Sequence, residues 1–337
     1  MSDAFDALAE ATRTSRLGPR LSALVPVLGS GFVTQGVREG LRASSSKAQV
    51  APIDWLRLLR EVAERYELGR ASRSIELDVP GQTTLLWDAM LSELTEREAN
   101  GGRSRAAHRW DDELRGAVAE RLLDDRRTER LARPFVRSFL RLGFEDVLSF
   151  NFDEVLTGPG VVPRARARGA SARASLAASV GQTTVWFPHG HCSDPRSIVL
   201  GARAYGARLS AVQAAFDAHA KLASPRPTRR RSSWVATALE RPLLFVGLSL
   251  TREEWTIWWL LAQRARFLAR RPLTERPPAF VFARRPSPTD SLEAHGAYAT
   301  LSRAAELLGL QICAFDAFDD GWARLRAALL WRRSRPP

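Results

Sequence analysis

The segment LVPVLGSG, residues 24–31, indicates the fold more clearly than any other part of the chain. Its first five residues form a short apolar run, which ends in Gly29, Ser30 and Gly31. An apolar run of this length that stops at glycines is typical of a buried strand followed by a tight turn. Most glycine turns do no more than redirect the chain, but the N–H groups of such a turn can also cradle phosphate.

Strand and helix patterns alternate along the rest of the sequence. Between residues 53 and 142, apolar residues recur at three- and four-residue steps, which predicts helices. The segment 163–179 is low in complexity and predicts a mobile loop or a twisted hairpin. Further strands are predicted at DVLSF (146–150), TTVWF (183–187), PLLFVGLSL (242–250), PPAFVFA (277–283) and QICAFDAF (311–318).

This alternation predicts an α/β fold, because strands joined by helices form a parallel sheet that is covered on both faces. We expect a Rossmann-like parallel sheet with helices on both faces. The chain is interpreted as a single domain over residues 1–337, with a helical insert at about 53–142 between the glycine turn and the strand at 146–150.

The composition excludes several classes of protein. The 337 residues are 45% hydrophobic and 26% charged, as in ordinary globular chains. Cys192 and Cys313 are the two cysteines, and neither belongs to a CxxC pair, so a disulfide framework and a zinc site of the usual spacing are excluded. The start of the chain lacks a signal peptide, and no apolar run approaches a membrane span, so we expect a cytoplasmic protein without a membrane partner.

The net charge of +13 belongs to the second part of the chain, since residues 1–150 hold equal numbers of basic and acidic residues. Nearly all of the excess is arginine, and it leaves nucleic acid open as an indirect partner. Tryptophans at 255, 258 and 259 fall on neighbouring turns of a predicted helix that also carries arginines. They can stack nucleic-acid bases, but helical spacing favours a place in the core or in a subunit interface.

Polar residues and glycines follow four of the predicted strands. They are Gly29-Ser30-Gly31, Asn151 and Asp153 in SFNFD (149–153), His189-Gly190, and Gly247-Leu248-Ser249. In a doubly wound sheet the ligand lies beyond the carboxyl ends of the strands, so these residues are expected to line one site. The neighbours His191 and Cys192 can be drawn as metal ligands, but packing at the strand exit is the favoured interpretation.

Taken in order, these motifs resemble those of the sirtuin-like family. Pro52, Trp55, Leu58 and Leu59 also resemble the start of the helical insert in the bacterial branch of that family. The matching segments are VLGSG (27–31), SFNFD (149–153), FPHGH (187–191), IVLGARAY (198–205) and FVGLSL (245–250).

The resemblance implies that NAD is a substrate and that no metal takes part. Asn151 and Asp153 are implied to face the ribose and the nicotinamide, and His189 to be the base. Breaking a nicotinamide–ribose bond passes through an oxocarbenium-like state, so a site needs groups that orient the sugar, stabilise the leaving amide and accept a proton. The other implied contacts are to the phosphates from Gly29, Ser30 and Gly31, and to the adenosine half from Gly247 and Ser249.

Deacetylating sirtuins carry a zinc module with two CxxC pairs, and its absence here weighs against deacetylation. The resemblance points instead to effectors of bacterial antiphage defence that degrade NAD. We therefore expect an NAD glycohydrolase that is gated by a homo-oligomer or by a separate sensor protein. The alternative is a non-catalytic NAD- or nucleotide-binding subunit of a nucleic-acid-directed defence complex.

Overall fold

The computed structural model describes residues 3–13, 23–44, 55–73, 82–100, 107–167, 172, 174–220, 233–248, 250 and 255–330. Eight strands within these ranges form one sheet, in the order β3-β4-β5-β2-β1-β6-β7-β8. The strands are Val25–Leu28 (β1), Asp146–Ser149 (β2), Arg164–Ala165 (β3), Leu176–Val180 (β4), Thr183–Trp186 (β5), Leu243–Val246 (β6), Ala279–Arg284 (β7) and Leu310–Phe315 (β8).

The six strands from β5 to β8 across the sheet are parallel and have the order of a Rossmann fold. β1 lies at the centre, with β2 on one side and β6 on the other. The direction of winding reverses there, which opens a crevice at the carboxyl ends of β1 and β6. The predicted Rossmann-like α/β fold is therefore confirmed.

One edge of the sheet departs from the parallel arrangement, because β3 and β4 are antiparallel and β4 is antiparallel to β5. The cause is the length of the connection: only Gly181 and Gln182 separate β4 from β5. A parallel crossover needs a dozen or more residues, whereas two residues suffice for a hairpin. Of the two interpretations of 163–179, the structure has the hairpin-like one.

Helices predicted from periodicity occur within a few residues of their expected positions. The structure adds a long helix at Gly201–Ala220 that the sequence analysis does not assign, and whose buried positions include Gly201, Ala211 and Ala215. The helices are Ala4–Arg13 (α1), Ser30–Ala43 (α2), Trp55–Arg65 (α3), Gly69–Arg73 (α4), Gln82–Asn100 (α5), Ala107–Asp124 (α6), Arg126–Leu140 (α7), Gly201–Ala220 (α8), Trp234–Glu240 (α9), Trp255–Leu268 (α10), Leu292–Leu308 (α11) and Phe318–Leu330 (α12).

Helices cover both faces of the sheet, as predicted. In β6, Leu244 and Val246 pack with residues of α1, α2, α7 and α12, while Leu243 and Phe245 pack with residues of α8 to α11 on the other face. Side chains alternate between the two faces along a strand, so a strand buried on both faces is apolar throughout. This is why PLLFV reads as a continuous apolar run.

The helices α3 to α6, which lie in the predicted insert, form a third hydrophobic cluster, with Trp87 and Met90 at its centre. Residues that follow β2 and β5 belong to the same cluster: Phe152, Cys192, Ile198 and Leu200. The helical region therefore packs against the carboxyl ends of the strands, where the predicted site residues lie.

The helix α7 packs along α2 instead. A Cβ atom on Gly40 would overlap the carbonyl group of Leu131, and one on Gly36 would lie 3.0 Å from the Cβ atom of Ala132. The two helices therefore approach closely because α2 has glycine at both positions. Among the helices that the structure describes, none is both long enough and apolar enough to cross a membrane.

Candidate active site at the carboxyl ends of the strands

The predicted phosphate turn lies directly against the exit of β6. Gly29 is the N-cap residue of α2, and its N–H donates to the carbonyl oxygen of Val246 at 3.0 Å. The N–H of Gly31 donates to the carbonyl oxygen of Gly247 at 2.9 Å. Two of the three N–H groups predicted to hold phosphate are therefore bonded within the protein in this conformation.

Glycine is required at this contact because the two segments leave no room for side chains. A Cβ atom on Gly29 would lie 2.5 Å from both the carbonyl oxygen of Gly247 and a methyl group of Leu248. Gly247 also has a φ of +70°, and a Cβ there would overlap the backbone nitrogen of Phe32. The structure thus brings Gly29, Gly31 and Gly247 together, whereas Ser249 lies outside the described residues.

Asn151 follows β2 and is buried, with 5% of its surface exposed. Its backbone N–H donates to the hydroxyl of Ser149 at 3.3 Å. The side-chain nitrogen of Asn151 is buried without a hydrogen-bond partner. A buried amide left unpaired costs about 1–3 kcal/mol of stability.

His189 follows β5 and lies against the aromatic neighbours of Asn151. Its ring centroid is 4.8 Å from that of Phe150 and 6.2 Å from that of Phe152. Since these two phenylalanines flank Asn151 in the chain, the structure brings Asn151 and His189 to one place. Nε2 of His189 lies 3.4 Å from the hydroxyl of Thr256, and Tyr205 meets the ring edge-on at 5.6 Å.

The environment of His189 keeps its imidazole neutral. Burial among the aromatic rings, together with the nearby positive charge of Arg208, lowers its pKa to about 3. The ring therefore carries no proton on one nitrogen at neutral pH. A neutral imidazole can accept a proton, but a pKa of about 3 makes this one a weak base in the ligand-free conformation.

The pKa of Asp153 is shifted in the opposite direction, above its ordinary value. One of its carboxylate oxygens accepts the N–H of Val155 at 3.0 Å, but burial of the carboxyl group dominates and raises its pKa to about 6. Asp153 and Ser30 line a cleft of about 50 Å³ together with the start of α7. The cleft is far smaller than the 300 Å³ or more that is usual for ligand pockets, so by itself it is too small for a whole dinucleotide.

A larger cleft of about 480 Å³ lies elsewhere, at the amino ends of β2 and β5. Arg137, Glu145 and Thr183 are among the residues that line it. In a parallel α/β sheet the carboxyl ends of the strands carry the site. The larger cleft is therefore separate from the predicted site residues.

Residues of the helical cluster hold the segment that follows His189, and no sequence motif marks them. Arg115 donates to the carbonyl oxygen of Leu200 at 3.0 Å and to both oxygens of Asp111. The carboxylate of Asp88 accepts the N–H of Ala202, the second residue of α8, at 3.1 Å. These contacts join residues 85 and 114 positions apart, and no local pattern signals them.

His191 and Cys192 are packed as expected, being 0% and 1% exposed. Nδ1 of His191 lies 2.7 Å from the hydroxyl of Ser193, and its ring meets Phe187 edge-on. Within the described part of the chain, no three His, Cys, Asp or Glu residues are grouped closely enough to hold a metal ion.

The tryptophans and arginines in and near α9 and α10 belong largely to the core. Trp234 is buried, and Trp258 and Trp259 pack partly buried against the same cluster. Arg264 is 3% exposed and donates to the carbonyl oxygens of Ala238 and Leu239, at 2.7 and 2.9 Å. Core packing is thus the correct interpretation for these side chains, while the arginine run 229–231 lies outside the described residues.

Fold and site together define a Rossmann-like α/β protein with a buried asparagine and a neutral histidine at the carboxyl edge of its sheet. Comparison with protein families agrees with this class: the SIR2-like domain matches residues 145–302, which include Asn151, Asp153, His189 and Gly247. Residues 145–302 are therefore similar to a SIR2-like domain, and this similarity suggests an NAD-related activity. The glycine turn lies before the matched segment, and no curated protein matches the chain.

Proposed function

We propose that this protein is an NAD glycohydrolase, which cleaves NAD to nicotinamide and ADP-ribose, and that it is a gated effector of bacterial antiphage defence. The observation that carries the enzymatic part is the unpaired, buried amide of Asn151, which lies at the same strand edge as His189 because the His189 ring packs on Phe150 and Phe152. The similarity to a SIR2-like domain supports NAD as the substrate.

In the proposed reaction, the bond between C1′ of the ribose and N1 of the nicotinamide breaks. Its electron pair goes to the nicotinamide ring, which leaves as a neutral molecule, and the ribose becomes oxocarbenium-like. A water molecule attacks C1′ and transfers a proton to the imidazole of His189. Asn151 donates to the sugar or to the water, and the ionised carboxylate of Asp153 stabilises the positive charge that develops on the ribose.

The geometry also supports gating. The exit of β6 lies on the glycine turn, with Gly31 donating to Gly247 and Leu248 packed on Gly29. Binding of the dinucleotide phosphates to Gly29, Ser30 and Gly31 requires this exit to move. We propose that assembly into a homo-oligomer, or contact with a separate sensor protein, moves it.

The test is an assay of NAD loss with the purified full chain, alone and with the product of its neighbouring gene. We expect nicotinamide and ADP-ribose in equal amounts, and a loss of at least a hundredfold in rate in Asn151→Ala and His189→Ala. His295→Ala is the matched control, because His295 is an exposed residue on α11. Absence of NAD loss in the activated protein, or unchanged loss in the two site variants, contradicts the proposal.

The second candidate function is a non-catalytic NAD- or nucleotide-binding subunit of a nucleic-acid-directed defence complex. The bonded N–H groups of Gly29 and Gly31 and the small cleft favour it. Calorimetric binding of NAD without turnover would support it, as would binding of DNA or RNA that weakens steeply with salt. Turnover that depends on His189 excludes it.

A further inference from the structure

Four side chains of the helical insert form a connected polar cluster: Trp87 and Asp88 of α5, and Asp111 and Arg115 of α6. Nε1 of Trp87 donates to the carboxylate of Asp111 at 3.0 Å. Arg115 donates to both oxygens of the same carboxylate, and its guanidinium carbon lies 5.4 Å from the centre of the Trp87 ring. A guanidinium group bound at two points and stacked on a ring has one orientation.

This cluster contacts the residues at which α8 begins. The guanidinium group donates to the carbonyl oxygen of Leu200 at 3.0 Å. Gly201 has a φ of +78°, and a Cβ atom on it would overlap the ring of Trp87. The carboxylate of Asp88 accepts the N–H of Ala202 at 3.1 Å. Since three consecutive residues are bonded to or packed on the insert, the insert fixes the position of the first turn of α8.

The segment just before α8 binds the backbone around His189. The N–H of Val199 donates to the carbonyl oxygen of His189 at 2.8 Å, and the hydroxyl of Ser197 accepts the N–H of His191 at 2.9 Å. Gly190 has a φ of +99°, and a Cβ atom on it would overlap the carbonyl group of Ser197. The two segments are packed backbone to backbone, so a shift of one moves the other.

The helix α8 also reaches the imidazole of His189. Tyr205 meets the ring edge-on, with the ring centroids 5.6 Å apart. Arg208, further along α8, donates to the carbonyl oxygen of Ser197 at 3.2 Å. Nε2 of the imidazole lies 3.4 Å from the hydroxyl of Thr256 on α10. The place of α8 therefore influences both the backbone of His189 and the orientation of its ring.

We propose that Arg115 and Asp111 are positioning residues: through Leu200 and the start of α8, they fix the orientation of the His189 imidazole. This inference rests on the proposed function, since it takes His189 to be the base. Proton transfer requires a hydrogen-bond distance, and a displacement of about 1 Å costs up to about a hundredfold in rate. The helical insert thereby acts on the chemistry through α8.

Arg115→Met is the main test, because methionine retains an apolar chain against Trp87 and removes every donor. We expect kcat for NAD loss to fall about tenfold while KM stays within about twofold, since the misplaced group is the base. Arg115→Lys keeps one donor for the carbonyl oxygen of Leu200 and should recover kcat to within about threefold of the parent chain.

Nitrogen NMR of the histidine rings supplies a measurement that needs no turnover. The chain has five histidines, and the spectrum of His189→Ala identifies the signals of His189. A neutral ring held in one tautomer gives two well-separated nitrogen signals, one from a protonated nitrogen and one from a bare nitrogen. In Arg115→Met we expect these two signals to broaden or to approach each other, while those of His295 stay unchanged.

Arg121→Met is the matched control. Arg121 also lies on α6, but its ion pair, at 2.7 Å, is with Glu61 of α3 and stays within the insert. The control should match the parent chain in kcat and in the signals of His189. A thermal unfolding curve for each variant separates a loss of folding from a change in the folded protein.

Asp111→Asn is the milder variant, and it keeps the test decisive if Arg115→Met does not fold. Asparagine retains an acceptor for Trp87 but loses the charge that orients Arg115. We expect a fall in kcat of about threefold to fivefold, with the same change in the signals of His189.

Three results overturn the inference: unchanged His189 signals in a folded Arg115 or Asp111 variant, an unchanged kcat, or an equal fall in kcat in Arg121→Met. A variant that loses only thermal stability shows that the cluster stabilises the fold and does not position the base. If the activated chain shows no NAD loss, the hydrolase is removed, and the His189 signals still decide whether the insert orients the ring. NAD loss with unchanged His189 signals removes only the positioning role.

Discussion

The two halves of the candidate site differ in how far the protein satisfies its own polar groups. On the phosphate side, the N–H groups of Gly29 and Gly31 are bonded to the exit of β6. On the nicotinamide side, the amide of Asn151 and the hydroxyl of Thr128, in the first turn of α7, are buried without partners. The first half is closed by contacts within the chain, whereas the second contains two buried polar atoms for which the described residues offer no partner.

Because of this difference, we expect substitutions in the two halves of the site to change the stability of the fold in opposite directions. Hydrogen bonds at the glycine turn stabilise the fold, and in the proposed function they are exchanged for bonds to a dinucleotide. Unpaired groups at Asn151 and Thr128 destabilise the free protein. We therefore expect substitutions on the phosphate side to lower stability, and substitutions on the nicotinamide side to raise it while they abolish binding or turnover.

The largest effect is expected for Gly247→Ala. The new Cβ would overlap the backbone nitrogen of Phe32, and the φ of +70° is unfavourable for alanine. We expect a loss of about 3 kcal/mol or more in the free energy of unfolding, measured with urea. Gly296→Ala on α11 is the control, because nothing lies within 4 Å of its Cβ position and alanine favours helix. Equal stability of the two variants would show that the exit of β6 is not closely packed against the glycine turn.

Asp153→Asn tests the nicotinamide side through its pKa. Because the folded pKa, about 6, lies above the ordinary value of 3.8, ionisation of Asp153 costs stability as the pH rises from about 4 to 6. Asparagine keeps the bond to the N–H of Val155 without the charge. We expect the variant to match the parent at pH 4 and to be about 2 kcal/mol more stable at pH 7.

A pH-independent difference between Asp153→Asn and the parent contradicts this account. Glu96→Gln serves as the control of opposite sign. Glu96 is an exposed partner of Arg70, and that ion pair lowers the pKa of the carboxyl group. Removing the charge there should therefore give no gain in stability at pH 7.

Asn151→Leu should raise the free energy of unfolding by about 1 kcal/mol and abolish turnover, because it replaces an unpaired buried amide by an apolar group of similar size. Gln35→Leu is the matched control, since Gln35 is also buried but donates to Glu39 at 2.9 Å. That variant should gain no stability. Chemical denaturation of both variants at pH 7 checks the pair, and a loss of stability in Asn151→Leu would show that the amide of Asn151 has a partner.

Local patterns were sufficient to predict the sheet and most of its helices. The run PLLFV and the periodicity of α3 and α7 are short-range signals that the fold reproduces. The helix α8 was missed because small residues such as Gly201, Ala211 and Ala215 make its buried contacts, so its apolar stripe is weak. The antiparallel edge was left open between a loop and a hairpin, because the low-complexity segment 163–179 has no pattern that decides between them.

The strand-exit motifs placed Asn151 and His189 correctly at one edge, since the carboxyl ends of parallel strands meet there. The sequence could not predict which polar atoms have hydrogen-bond partners in the folded chain. That Gly31 donates to Gly247, or that Thr128 has no partner, depends on which distant segments pack together. The residues of the insert that border the site have no motif at all.

The last prediction compares the titration of His189 with that of Asp153. His189, with a pKa of about 3, stays neutral from pH 5 to pH 8, whereas Asp153 changes from mostly protonated to mostly ionised around pH 6. If ionised Asp153 stabilises the oxocarbenium-like ribose, the rate of NAD loss rises about tenfold between pH 5 and pH 7 with a midpoint near 6. In Asp153→Asn the rate of NAD loss should stay low and should not change between pH 5 and pH 7. A rise that persists in Asp153→Asn contradicts the role of Asp153 in charge stabilisation. The ionisation then belongs to another group, and His189 in its ligand-bound state is the first candidate.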